Sequence, residues 1–117
     1  MSLKKLQMNS RRVDFDLTIV IPAYNAEKTL RKTVESIYLQ DIWPYEVILA
    51  INSLDGTLRV AEQIKLEFSD LRITLINPLK EILSVDQSWT RAVSASKTKF
   101  TKLLCADDLL LPGALEA

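Results

Sequence analysis

The chain has no histidine and one cysteine, Cys105, among its 117 residues. Without histidine, no Ser-His-Asp or Cys-His nucleophile can be assembled from these residues. One thiol cannot close an internal disulfide, and the lack of both a CxxC pair and a histidine excludes a zinc site. Glycine is almost absent too. Gly56 and Gly113 are the only two, so neither a GxGxxG fingerprint nor a Walker A loop is present, and any phosphate must be held by other means. Charge of one sign is also missing: fifteen basic and fifteen acidic residues give a formal net charge of zero. That balance removes the electrostatic footprint of a nucleic-acid-binding protein. No apolar run approaches the roughly 20 residues that span a bilayer. At the N-terminus, Lys4 and Lys5 precede Leu6-Gln7-Met8-Asn9-Ser10 rather than a secretory h-region. A soluble, cytoplasmic protein is the expectation.

What is present is an alternation of two periods. Residues 1–16 are polar and of mixed charge, and read as a flexible lead. Four short apolar runs follow, Leu17–Ile21, Glu46–Ile51, Arg72–Ile76 and Phe100–Leu104. The first two are rich in Val and Ile and nearly unbroken, as strands buried on both faces tend to be. Between the runs lie segments of helical spacing. Glu27–Leu39 sets Leu30, Val34 and Ile37 on one stripe, Thr57–Phe68 sets Val60, Ile64 and Phe68, and Asp86–Ser96 sets Trp89, Val93 and Ser96 with Ala92 beside them. The order β-α-β-α-β-α-β predicts a parallel sheet with right-handed crossovers over residues 17–117, an α/β, Rossmann-like architecture. Residues 77–85, opened by the turn signal Asn77-Pro78, read as a connector.

In an open parallel sheet, ligands sit beyond the carboxyl ends of the strands, where the strand order reverses. Three of the four strand ends carry informative residues. Pro22-Ala23-Tyr24-Asn25 follows the first strand. Pro22, lacking a backbone donor, is expected to end that strand. Asn25 is expected to cap the next helix, and Tyr24 offers a ring and a hydroxyl to a base. The alternative is a plain strand-to-helix turn with an aromatic packed over the sheet. Asn52-Ser53-Leu54-Asp55-Gly56 follows the second strand. There Asp55 suits an N-cap and Gly56 a tight turn, while Asn52 and Ser53 stand nearest to a ligand. Cys105-Ala106-Asp107-Asp108 follows the fourth. Adjacent carboxylates at a strand end must be solvated, paired or bound to a cation. Pro112 suits a first helical position, which makes Leu111 the cap and leaves the aspartates outside it. Their hard oxygens suit Mg²⁺ or Mn²⁺.

Taken in order, Ile19-Val20-Ile21-Pro22-Ala23-Tyr24-Asn25, Asn52-Ser53-Leu54-Asp55-Gly56-Thr57, Ser88-Trp89-Thr90-Arg91-Ala92 and Leu103-Leu104-Cys105-Ala106-Asp107-Asp108-Leu109-Leu110-Leu111-Pro112 resemble the family 2 glycosyltransferases. The resemblance covers residues 17–116. It implies a GT-A fold, three-layered and Rossmann-like, with strand order 3-2-1-4, which places Tyr24 and Asp107 across one cleft. It implies transfer of a sugar, with inversion, from a nucleotide diphosphate donor to the hydroxyl of a glycan, lipid or protein acceptor. Pro22, Ala23, Tyr24, Asn25, Asn52 and Ser53 would bind the nucleotide, and Asp107 and Asp108 the divalent cation. The family's acceptor half and catalytic base lie beyond a segment of this length. The resemblance therefore implies the N-terminal nucleotide-sugar-binding portion of a transferase, truncated, with no catalytic residue of its own and inactive alone.

Two positions depart from the family pattern. Ala50-Ile51 stand where one or two aspartates end the second strand, and Cys105 stands where many members carry the first Asp of a DxD motif. These departures keep a second reading open, a degenerate nucleotide-binding domain without activity. Receiver-like or aspartate-dependent phosphoryl transfer needs an acid after the first strand, where this chain has Pro-Ala-Tyr-Asn. An interaction module is the third alternative, since an unpaired sheet edge invites self-association.

Overall fold

The computed structural model of the chain describes residues 14–51, 55–76 and 85–116. Its elements are β1 (Asp14–Ala23), α1 (Leu30–Tyr38), β2 (Trp43–Ile51), α2 (Thr57–Glu67), β3 (Ile73–Ile76), α3 (Val85–Ser94) and β4 (Phe100–Leu103), then a 3₁₀ turn at Ala114–Glu116. All four strands run parallel in the order β3-β2-β1-β4. β1 starts three residues before the apolar run that announces it: Asp14 and Phe15 pair with Trp43 and Pro44, and the register shifts before Thr18 meets Glu46. Residues 14–16 of the expected lead thus belong to the sheet. The connector expected over 77–85 lies outside the described residues except for Val85, the first residue of α3.

The side-chain period of two along each strand divides the interior into two layers. Ile19 and Ile21 of β1, with Val47, Leu49 and Ile51 of β2, face α1 and α2. Val20, Ile48 and Ala50 face the opposite way and meet Ala92 of α3. Helices on both faces give the three layers of a Rossmann-like, GT-A-type sheet. Leu30, Val34 and Ile37 of α1 are wholly buried, as their spacing predicts. Each such side chain contributes about 1.5–3 kcal/mol through burial. The inward row of α2 differs by one position from the expected stripe. Thr57, Ala61 and Ile64 are buried, while Val60 is half-buried and Phe68 closes the helix end. In α3 the small Ala92 meets the sheet and Val93 is exposed, because a short side chain permits the closer approach.

Polar ties fix the helices to each other and to the sheet's amino end. Arg31 of α1 pairs with Glu67 of α2. The Tyr38 ring stacks tilted on Trp43 and on Phe68, each at 5.0 Å between centroids, and Trp43 Nε1 donates to the Tyr38 carbonyl at 3.0 Å. Every buried side-chain nitrogen or oxygen among the described residues has a hydrogen-bond partner.

Candidate functional site

β1 does not stop at Pro22. Pro22 pairs with Ala50 and Ala23 with Ile51, so the strand runs two residues beyond the expected break. The physical reason lies in the neighbouring strand. β1 and β4 pair only as far as Val20 and Leu103, and the last tie is Leu104 N–H to the Val20 carbonyl at 2.9 Å. The backbone polar groups of alternate residues face the same side, so the donor that Pro22 lacks would point past the end of β4. A proline there costs the ladder nothing. Ala23 is wholly buried in the core, which withdraws its methyl from any pocket. Tyr24, 62% exposed, and Asn25 carry on into solvent.

Asn25 does not cap α1. It takes a left-handed conformation, φ 51°, that asparagine tolerates better than most residues. The helix instead starts from a turn in which the Ala26 carbonyl accepts from Thr29 and Leu30 N–H, at 3.1 and 2.9 Å. The Ala26 N–H, which a capping Asn25 would have left facing the cleft, donates to Thr57 Oγ1 at 3.0 Å. Asp55 does act at the start of α2, its Oδ1 accepting from Thr57 N–H at 3.0 Å. Glu27 reaches across to accept the Gly56 N–H at 3.2 Å. The loops after β1 and β2 are therefore stitched together through Thr57 and Glu27. Asn52 and Ser53 lie outside the described residues.

After β4, Asp108 N–H donates to the Cys105 carbonyl at 3.0 Å, closing a turn that presents both aspartates to solvent. Ligand atoms of Cys105, Asp107 and Asp108 all lie within 4.8 Å of one another. Pro112 does not open a helix with Leu111 as its cap: Pro112 and Gly113, the latter at φ 82°, form a turn closed by Ala114 N–H to the Leu111 carbonyl at 3.0 Å, and the 3₁₀ residues start at Ala114, with both aspartates outside them. The Cys105 side chain reaches the surface. Partial withdrawal of its thiol from water pushes its pKa up, and the charges of Asp108 and Asp107 and a hydrogen bond to Asp108 add to the rise. The thiol is accordingly protonated at neutral pH. The ligand atoms this turn offers besides the thiol are the carboxylate oxygens of Asp107 and Asp108, a donor set that fits a hard divalent cation.

What holds this turn was not anticipated from the residues. Thr33 Oγ1 donates to the buried Ala106 carbonyl at 2.8 Å, Ser36 Oγ accepts Leu110 N–H at 3.0 Å, and Gln40 Nε2 donates to the Leu111 carbonyl at 2.9 Å. Gln40 Oε1 also accepts Leu115 N–H, at 3.3 Å. Thr33, Ser36 and Gln40 recur every three or four residues beside the apolar stripe of α1. A polar row flanking an apolar one was the available signal. A depression of about 310 Å³ lined by Trp43, Pro44, Tyr45, Asp70 and Arg72 lies at the amino ends of β2 and β3, away from these residues.

The two exposed groups, Tyr24-Asn25 and Asp107-Asp108, thus leave the carboxyl ends of adjacent strands, where the chain order reverses between β1 and β4. The sequence profile described as glycosyltransferase like family 2 matches residues 15–117. The chain belongs to that family. EpsE of Bacillus subtilis (strain 168), a glycosyltransferase by name, is 35% identical over 102 residues, which are 86% of this chain and 36% of that protein. The mannosyltransferase PcManGT from Pyrobaculum calidifontis, solved in complex with GDP-Man and Mn²⁺, superposes with a TM-score of 0.67 at 18% identity. That match covers 92% of this chain and 35% of the other. TarS of S. aureus, residues 1–349, superposes with a TM-score of 0.66 at 19% identity, over 87% of this chain and 30% of the other. At those identities the two structures bear on the fold alone, and they bear out the GT-A architecture.

The family 2 chain spans about a third of the length of the relatives it matches. Its described residues include no helix long and apolar enough to cross a membrane. Arg91 lies at an exposed position in the last turn of α3.

Proposed function

We propose that these residues form the donor-binding part of a glycosyltransferase, which holds a nucleoside diphosphate sugar between the loops after β1 and β4. The observation that carries this reading is the pair of exposed carboxylates, Asp107 and Asp108, fixed in a turn beside the end of β1 at the reversal of strand order. Membership of the family and the GDP-Man and Mn²⁺ in PcManGT support it. Tyr24 would stack its exposed ring on the base, with Pro22 flooring the pocket and Asn25 supplying an amide. Asn52 and Ser53 would complete the nucleoside side from the end of β2. Asp107 and Asp108 would hold Mg²⁺ or Mn²⁺ against the two phosphates. The bound cation supplies Lewis acidity that offsets the charge gathering on the departing diphosphate.

In this reading the described residues bind and orient the donor, and the base that deprotonates the acceptor hydroxyl, on a glycan, lipid or protein, is not among the residues assigned to the site. A specific observation favours a second reading. The end of β2 is Ala50-Ile51, both about 1% exposed, so no carboxylate is offered there to a base. A degenerate domain that no longer binds nucleotide would look the same at this position.

Calorimetric titration with UDP and GDP, with and without Mn²⁺, separates the two. Metal-dependent binding that disappears in Asp107→Ala, Asp108→Ala supports the donor site. The absence of binding to either nucleotide in any condition supports the degenerate domain.

A further inference from the structure

We infer that the sheet edge at β3, outermost among the described strands, with the groove beside it, is a self-association surface that takes a second copy of this chain. Among the described residues β3 is an outer strand and pairs only with β2. Val47 N–H donates to the Arg72 carbonyl at 2.8 Å. Backbone polar groups alternate sides along a strand, so those of Thr74 and Ile76 also turn to β2. The N–H and C=O of Ile73 and Leu75 then point out of the sheet, and such a row is a template for a further strand. Alongside runs a groove of about 830 Å³ between β3 and α2. It is lined by Leu66, Leu71 and Leu75, with Glu62, Lys65 and Arg72 on its rim. Leu66 is 80% exposed, although it lies on a helix whose other face is core.

Three features favour a second copy as the occupant. The net charge is zero, so two copies meet without long-range repulsion. The groove rim carries both signs, and a two-fold axis can set Glu62 of one copy against a lysine or arginine of the other. The edge is also self-complementary in its hydrogen bonding. Antiparallel pairing about an axis at Thr74 places Ile73 opposite Leu75 of the partner and Leu75 opposite Ile73, exchanging four backbone bonds. The same operation brings the two α2 helices together on one face, where Leu66 loses its exposure. The carboxyl ends of β1 and β4 belong to the far side of the sheet, with β2 between β1 and this edge. The donor site therefore stays open, and the inference does not depend on it.

The test is sedimentation equilibrium of the 117-residue chain from micromolar to near-millimolar concentration. The expected result is a monomer–dimer equilibrium, with the upper mass twice 13.3 kDa. Leu66→Glu weakens dimerisation at least tenfold. So does Leu75→Pro, which removes an outward N–H that the chain's own ladder does not use. Thr101→Pro, at the outward position on the opposite edge, leaves dimerisation unchanged. Circular dichroism establishes that each variant is folded; Leu66→Glu, at an exposed position, decides the matter if Leu75→Pro is not. A mass of 13.3 kDa throughout, or dimers that survive Leu66→Glu and dissociate in Thr101→Pro, would overturn the inference.

Discussion

Replacing Thr33 by valine removes one hydroxyl and keeps the shape of a side chain that has no solvent exposure. That hydroxyl donates to the Ala106 carbonyl at 2.8 Å and sits 3.4 Å from the Thr29 carbonyl, so the first bond is the one lost. Ala106 is itself buried, and the bond to its carbonyl lies in the interior. Leaving a buried acceptor unpaired costs about 1–3 kcal/mol. For a domain of this size each kcal/mol lowers the melting temperature by roughly 3–5 °C. Thermal unfolding by circular dichroism reads that change. Thr33→Ser keeps the hydroxyl and loses a methyl, at about 1 kcal/mol, so stability alone does not separate the two variants. Amide exchange at Asp108 does, because its N–H closes the turn that Thr33 tethers. Exchange there is expected to speed up in Thr33→Val and to stay near the wild-type rate in Thr33→Ser. Equal protection in all three proteins would refute the argument that α1 holds the acidic turn.

Three further outcomes follow from the same geometry. Cys105 has a raised pKa, so its thiolate fraction at pH 8 is below that of a free thiol. Iodoacetamide should label it more slowly than a reference peptide and faster as pH rises, and Asp108→Asn should move that profile to lower pH; a rate matching the peptide at pH 8 contradicts the assignment. Gly56 has φ −76°, which any residue adopts, and the atoms nearest to an added methyl would be those of the flexible Glu27 carboxylate, at 2.8 Å. Gly56→Ala should therefore change stability in urea by no more than about 1 kcal/mol, and a much larger loss would mean that the Glu27 contact is rigid. Leu30→Ala, at a wholly buried position on α1, should cost about 2–5 kcal/mol in the same assay; a cost below about 1 kcal/mol would place α1 off the sheet.

The architecture was legible because two periods alternate cleanly along the chain. The unbroken Val-Ile runs of β1 and β2 are buried on both faces, and the stripe Leu30, Val34, Ile37 is the inward row of α1. Local rules failed where tertiary packing overrode them. Pro22 read as a strand stop because its missing donor was weighed alone, whereas the neighbouring strand had already ended. Val93 read as core by its character, but it is exposed, and among the described residues the small Ala92 and Ala95 pack on the sheet face beneath α3. Asn25 read as a cap by residue type, yet the Ala26 N–H was claimed by Thr57 from a helix 31 residues away. The strand-end residues of the candidate site were visible because topology dictates where ligands collect. The polar row Thr33, Ser36 and Gln40 was not, because its partners are backbone carbonyls and N–H groups in a segment 71 to 75 residues distant.

The most direct measurement places a paramagnetic ion in the site. In a ¹⁵N-labelled chain, substoichiometric Mn²⁺ with GDP or UDP should broaden the amide resonances of residues 105–108 and of residues 23–25, and Asp107→Ala, Asp108→Ala should abolish both effects. Broadening centred on any other part of the sheet, or unchanged in the double variant, would contradict a donor site at the ends of β1 and β4.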